Sequence, residues 1–169
     1  FTPSVVFAGA GVGNKNLCTK ATIDALRDCE ICLYDSLMDH KLLEELPSTA
    51  EAIDVGKRCG AHSKQQQVIT DLLCDRARRG KKVVRLKGGD PGIFGRLTEE
   101  TTALEELQIA YRVIPGISAL QAATTGTGML LTRRDVSRGF VALTPRAAAG
   151  KLAPCDANEK STLPIVYYM

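Results

Sequence analysis

Short apolar runs alternate with amphipathic stretches along most of this chain. Ser4 to Ala8 is apolar and β-branched and predicts a strand, followed by the loop Gly9-Ala10-Gly11-Val12-Gly13. Thr19 then stands as a cap before a helix to about Cys29, with Ala21, Ala25, Leu26 and Cys29 on one side. Ile31 to Tyr34 predicts a second strand ending at Asp35, His40 to Leu46 a short helix, and Glu51 to Val55 a further strand. Ser63-Lys64-Gln65-Gln66 has the pattern of a capping box. The helix behind it carries Ile69, Leu72, Leu73 and Ala77 at core spacing, and Gly80 is placed to end it. Lys82 to Lys87 reads as a strand, and Thr98 opens a helix whose Glu99 and Glu100 complement the dipole of its first turn. Tyr111 to Ile114 reads as a strand, Pro115-Gly116 as a turn, and Ser118 to about Thr125 as a helix.

This alternation predicts an α/β fold, a mostly parallel sheet of about five strands with helices on both faces. Ligands of such sheets bind beyond the C-terminal ends of the strands. Three unusual loops occupy those ends: Gly9 to Gly13, Asp35-Ser36-Leu37 and Gly88 to Gly95. The first domain is expected over 1–144. Residues 145–162, rich in Ala, Pro and polar side chains, read as a linker. Residues 163–169 read as the first strand of a second domain, expected to continue past Met169 because a strand needs partners.

Composition narrows the function classes. The chain has 169 residues, 44% hydrophobic and 24% charged, the profile of a soluble globular domain. No apolar run approaches the ~18 residues of a membrane span, and the start at Phe1-Thr2-Pro3 carries no signal-peptide pattern, so a cytoplasmic protein without membrane partners is expected. A net charge of +3 and an aromatic content of 5% argue against a nucleic-acid partner. The six cysteines are expected to be reduced packing thiols. Cys29 and Cys32 form a Cys-x-x-Cys, but at the end of a helix rather than at its N-terminus, where a redox pair gains from the dipole. The only histidines are His40 and His62, no second cysteine pair has zinc spacing, and no metal site is expected.

The loops carry the candidate chemistry. Lys87 to Arg96 places four glycines and a proline directly after a strand. Paired glycines let backbone amides and carbonyls approach a ligand with no Cβ between. Asp90 adds a carboxylate suited to an ammonium, a ribose or a sulfonium, and the absence of a Gly-Lys-Ser/Thr ending argues against a nucleotide phosphate loop. The Gly9 to Gly13 loop reads equally as a ligand loop or as a tight turn. As a dinucleotide fingerprint it has Asn14 where the sixth-position glycine belongs. Asp35 and Lys57 are the candidate acid–base pair, each following a strand. Asp35 comes after apolar residues, where burial would raise its pKa, and it reads equally as a helix cap. Lys57, Arg58, Arg85, Lys87, Arg96, Arg133, Arg134 and Arg138 cluster near the loops, as a solvated rim or as a binding surface for a polycarboxylate.

Several stretches in register resemble the tetrapyrrole methylase family, on its branch acting on uroporphyrinogen III. They are Gly9-Ala10-Gly11, Leu33 to Leu37, Val55 to Gly60 with His62-Ser63, Val84 to Pro91 with Ile93 to Arg96, Val113 to Ala119, Leu131 to Asp135 and Leu163 to Met169. The resemblance implies transfer of two methyl groups from S-adenosylmethionine to ring carbons of uroporphyrinogen III, giving precorrin-2 for sirohaem and cobalamin synthesis, by a homodimer without metal. It places donor binding on Val12, Gly88, Gly89, Asp90, Ile93, Ser118, Ala119 and Met169, the proton acceptor on Asp35 and the proton donor on Lys57. Arg58, Phe94, Arg96, Thr132 and Arg133 are the candidate substrate contacts. The chain departs from the family pattern at Val12, Gly92, Leu130 and Arg133, and Gly92 in place of an aromatic removes one wall of the site. Because the second domain should complete the pocket, weak donor binding and poor turnover are expected of these 169 residues alone. A methylase of a later corrin precursor and a nicotinamide-binding dehydrogenase module are the competing readings.

Overall fold

The computed structural model describes residues 4–56, 62–144 and 163–167, with the backbone alone for 62–65. The chain divides into two compact units, Phe1–Ser118 and Ala119–Met169.

In the first unit, β1 (Val5–Gly9), β2 (Ile31–Tyr34), β3 (Glu51–Asp54), β4 (Val83–Lys87) and β5 (Tyr111–Ile114) form one parallel sheet in the order β3-β2-β4-β1-β5. The helices are α1 (Lys20–Arg27), α2 (His62–Arg78) and α3 (Leu97–Glu106). Side chains alternate across each strand. Ala8, Cys32, Val84 and Leu86 meet Ala25 and Leu26 of α1 and Leu42 of the 3-10 turn His40–Glu45 on one face. Val5, Phe7, Ile31, Leu33 and Val83 meet Leu73 and Ala77 of α2 and Leu104 of α3 on the other. Leu26, Leu33, Leu73, Leu86 and Leu104 have no accessible surface, and each contributes roughly 1.5–3 kcal/mol by leaving water.

Local signals explain the element ends. The Thr19 side chain accepts the N–H of Thr22 and starts α1. Gly80, at φ +74, closes α2: its N–H donates to Ala77 and that of Lys81 donates to Arg76. Most ends shift by one or two residues from the sequence reading, and two helix starts differ in how they are capped. The α2 helix begins at His62, so Ser63 lies inside the first turn rather than at the cap. The α3 helix begins at Leu97 and has no side-chain cap, because Arg96 before it is left-handed, with φ 50.

The strand order creates a switch point. The connection from β1 runs to β2 over the α1 face, and the connection from β4 runs to β5 over the opposite face. The chains leaving β1 and β4, adjacent in the sheet, therefore lead to opposite faces, and the C-terminal ends of these two strands are the switch point, where ligands of such sheets bind.

The second unit contains α4 (Ala119–Ala123), a 3-10 turn at Thr125–Thr127, and a parallel pair of β6 (Val141–Leu143) with β7 (Ile165–Tyr167). The stretch read as a linker, 145–162, lies outside the described residues.

Candidate active site

Three strand ends of the first unit meet through backbone alone. The Ala10 N–H donates to the Lys87 carbonyl at 2.8 Å, and Gly11 and Gly89 exchange N–H···O bonds at 3.3 and 2.8 Å. A Cβ on Gly9 would lie 2.6 Å from the Gly116 Cα and 2.7 Å from the Gly89 oxygen, and one on Gly116 would collide with the same oxygen. Gly9, Gly89 and Gly116 thus let the ends of β1, β4 and β5 close to a distance no side chain allows. The seam continues outward. A Cβ on Gly89 would touch the Ser118 Cα at 3.6 Å, and one on Gly88 would meet the Leu37 carbonyl at 3.1 Å. Leu37 belongs to the loop that carries Asp35.

Asp90 pins this seam. Its Oδ1 accepts the Gly92 N–H at 2.8 Å and its Oδ2 accepts the Gly116 N–H at 3.0 Å, so one carboxylate shapes its own turn and ties it to the loop after β5. The role read from the sequence, a carboxylate facing a ligand, has to coexist with this bracing. The Pro91–Arg96 segment folds tightly: Phe94 and Arg96 adopt φ 53 and φ 50, a left-handed conformation costing a non-glycine residue roughly 1–2 kcal/mol. Ile93, Phe94 and Arg96 are all exposed, and Arg96 pairs with Glu99 at 2.8 Å.

Beneath the seam lies a chain of charges that the sequence reading missed. Arg85 and Lys87 were read as part of a basic rim, yet both are buried, at 2% and 3% exposure. Strand alternation turns them to the α2/α3 face, where Glu100 of α3, with no accessible surface, takes both. Its Oε1 accepts from Arg85 Nε at 2.9 Å and its Oε2 from Lys87 Nζ at 2.6 Å. Arg85 Nη1 donates to the Leu86 carbonyl at 3.1 Å, and Nη2 donates to Asp35 Oδ1 at 2.7 Å. Desolvation, reinforced by the charge of Arg85, holds the Lys87 ammonium below the ordinary lysine pKa. Glu100 thus lies in the first turn of α3, as expected, and is also a buried counter-ion. Asp35 is correspondingly not a carboxylate desolvated among apolar side chains: its side chain is 30% exposed and ion-paired with Arg85.

The other candidates are distributed as follows. Val12 is half-buried between Gly11 and Gly13, and Ser118 is buried at the end of the first unit. Ala119 opens α4 in the second unit, and Thr132 and Arg133 are exposed in that unit, where Arg133 bridges to Ser137. Lys57, Arg58 and Met169 lie outside the described residues. Gly56, before Lys57 in sequence, donates its N–H to Asp54 at 2.8 Å, and a Cβ on it would collide with Ser36 Oγ, next to Asp35.

The glycine loop after β1 does not feed a helix N-terminus. It runs into the 3-10 turn Lys15–Leu17, and α1 begins only at Lys20. A dinucleotide fingerprint opens its helix directly from the glycines, so this geometry disfavours the dehydrogenase reading. Among the described residues no three His, Cys, Asp or Glu side chains are arranged to hold a metal ion, and no helix is long and apolar enough to cross a membrane.

Comparison with known proteins agrees with this architecture. Residues 4–169 match the model of the Tetrapyrrole (Corrin/Porphyrin) Methylases. The chain is 41% identical over 150 residues to a uroporphyrinogen-III C-methyltransferase of Methanocaldococcus jannaschii, covering 89% of the chain and 62% of that protein. It is 40% identical over 169 residues to siroheme synthase 1 of Aeromonas hydrophila subsp. hydrophila, covering 98% of the chain and 36% of that protein. The chain thus spans less than two thirds of the length of these relatives. Among solved structures, the uroporphyrin-III C-methyl transferase of Thermus thermophilus complexed with S-adenyl homocysteine superposes with a TM-score of 0.74 at 35% identity, over 89% of this chain and 63% of that one. With its parallel five-stranded sheet, glycine seam and matching relatives, the chain belongs to the tetrapyrrole methylase family.

Proposed function

We propose that this chain serves S-adenosylmethionine-dependent C-methylation of uroporphyrinogen III, in two transfers that give precorrin-2 for sirohaem and cobalamin synthesis. The observation that carries this reading is the Cβ-free seam of Gly9, Gly11, Gly89 and Gly116 at the switch point, one loop away from Asp35. Backbone donors and acceptors beside the Asp90 carboxylate suit a ligand carrying ribose hydroxyls, an ammonium and a sulfonium. Val12, Gly88, Gly89, Asp90, Ile93, Ser118, Ala119 and Met169 are the residues that would hold it, and no metal is invoked.

When bound, the donor supplies an electrophilic methyl group: the electron pair of the ring carbon forms the new C–C bond, and the S–CH3 pair stays on sulfur. The protein holds the two reactants in line and excludes water. The methylated ring is left with one excess proton, which Asp35 accepts in this reading. Lys57, the residue that follows the Asp54–Gly56 turn in sequence, is the proton donor in this reading. Arg58, Phe94, Arg96, Thr132 and Arg133 are assigned to the polycarboxylate substrate, for which guanidinium forks are suited. A homodimer in the cytoplasm belongs to the same reading.

Calorimetric titration of the full-length protein with S-adenosylhomocysteine and with NAD tests donor class: saturable binding of the first alone is expected, and binding of NAD alone would overturn the assignment. Incubation with methyl-labelled donor and either uroporphyrinogen III or later corrin precursors tests the acceptor. Label in the first is expected, and label only in a later precursor would move the chain to another branch of the family.

A further inference from the structure

Glu100 lies in no loop and touches no exposed surface, yet it fixes the geometry of the one carboxylate proposed to take a proton. Arg85 reaches Asp35 with Nη2 only after its plane is set by three other bonds, Nε to Glu100 Oε1 at 2.9 Å and Nη1 to the carbonyls of Leu86 at 3.1 Å and Leu33 at 3.5 Å. Glu100 is in turn held by Lys87 Nζ at 2.6 Å. Lys87 immediately precedes the Gly88-Gly89 turn, and its carbonyl accepts the Ala10 N–H. A single buried charge chain therefore runs from the base of the glycine seam to Asp35.

We propose that Glu100 is a positioning residue for methyl transfer, acting through Arg85 on Asp35. This rests on the reading of Asp35 as proton acceptor. Two physical consequences follow. The guanidinium is aimed rather than free to swing, so Asp35 keeps its place relative to the donor loop. Arg85 also retains a buried counter-ion when Asp35 takes up a proton. Without Glu100, protonation of Asp35 would leave the 2%-exposed guanidinium with no anionic partner, a costly state that opposes the proton transfer. Arg85 and Lys87 balance Glu100 and Asp35, so the resting cluster is neutral.

The test is a double-mutant cycle in the full-length protein, with Glu100→Gln, Asp35→Asn and the pair. It follows single-turnover transfer of labelled methyl from S-adenosylmethionine to uroporphyrinogen III, with rates normalised to the sites that bind S-adenosylhomocysteine. Expected is a drop of about 10–100-fold in the single-turnover rate constant at saturating donor for Glu100→Gln, the scale of a small misplacement of a reacting group. The KM for the donor should stay within two-fold of wild type. In the Asp35→Asn background the same change should add nothing, because its route to the reaction is gone. Arg85→Lys supplies an independent arm should Glu100→Gln not fold: one ammonium cannot span both carboxylates, and the same loss of rate is expected. A folded Glu100→Gln at wild-type rate, or losses that add fully in the Asp35→Asn background, would overturn the proposal. If Asp35→Asn itself transfers methyl at the wild-type rate, the acceptor role of Asp35 falls, and this inference with it. If wild type binds donor and leaves uroporphyrinogen III unmethylated, it is the substrate assignment that falls.

Discussion

Burial, more than any neighbouring charge, sets the chemistry of the two cysteines of the Cys-x-x-Cys. Desolvation pushes the Cys29 thiol up to about 11 and the Cys32 thiol up to about 12, so both stay protonated where a redox cysteine would be a thiolate. The same displacement makes stability depend on pH. Unfolded thiols release their protons near their ordinary value of 9.0, while the folded state keeps them to about 11 and 12. The folded state thus binds more protons in that window, and stability that is full below 9.0 is lost as pH rises through it. Urea unfolding between pH 8 and 11 should show this fall, and the double change Cys29→Ala and Cys32→Ala should flatten it. An unchanged slope in the double variant would contradict this account. Cysteine burial was legible in the sequence because it needs only an apolar surrounding. Arg85 and Lys87 were not. Their alternation in β4 looks like a solvated face, and only the packing of α3 over that face brings Glu100 to them. Helical spacing puts Glu100, unlike Glu99, on the Leu97–Leu104 stripe of α3, but the stripe alone does not name the buried cations that meet it.

At the scale of elements, the site is a property of strand ends rather than of helices. The loops after β1 and β4 were legible from their glycines, since few other residues follow a strand so densely in a turn. Their mutual approach was not legible, because it depends on which strands are neighbours. Gly116 shows the difference. Alone, Pro115-Gly116 reads as an ordinary turn, but a Cβ there would meet the Gly89 carbonyl and lie 2.8 Å from the Gly9 Cα, all rigid backbone. Gly116→Ala should therefore force the loops apart, costing about 1–3 kcal/mol in unfolding experiments, as overpacking does. It should also weaken S-adenosylhomocysteine binding at least ten-fold by calorimetry. Gly13→Ala is the control. Its Cβ would meet nothing within 4 Å, and only its φ of +79 opposes the change, so a loss of roughly 1–2 kcal/mol without a comparable loss of binding is expected. Equal binding losses in both variants would show that loop flexibility, not the seam, governs the ligand.

Across the whole molecule, hydrophobic periodicity revealed the parallel sheet but not its order. Each strand pattern reports burial on its own faces, whereas the insertion of β4 between β2 and β1 is decided by the pairing of all five. That insertion places β4 and β1 at the centre, with Val5, Phe7, Ala8 and Leu86 at 0% exposure. The β6–β7 pair is different: among the described residues it is a sheet of two strands, half-buried or exposed. Isolated two-stranded pairs are marginal in water, and local opening draws on elements with little buried apolar surface. Amide hydrogen exchange should therefore divide along the chain. The N–H groups of Ala8, Val84 and Leu86 should exchange only on global unfolding, with a denaturant dependence matching that of the whole protein. Those of Val141–Leu143 should exchange by local opening, with little denaturant dependence. Added S-adenosylhomocysteine should slow the first class in proportion to its binding free energy, since a ligand held by the folded state lowers the population of the unfolded one. If ligand slows neither class while calorimetry shows saturable binding, the binding site is not built on the folded sheet, and the seam at the ends of β1, β4 and β5 loses its claim to the donor.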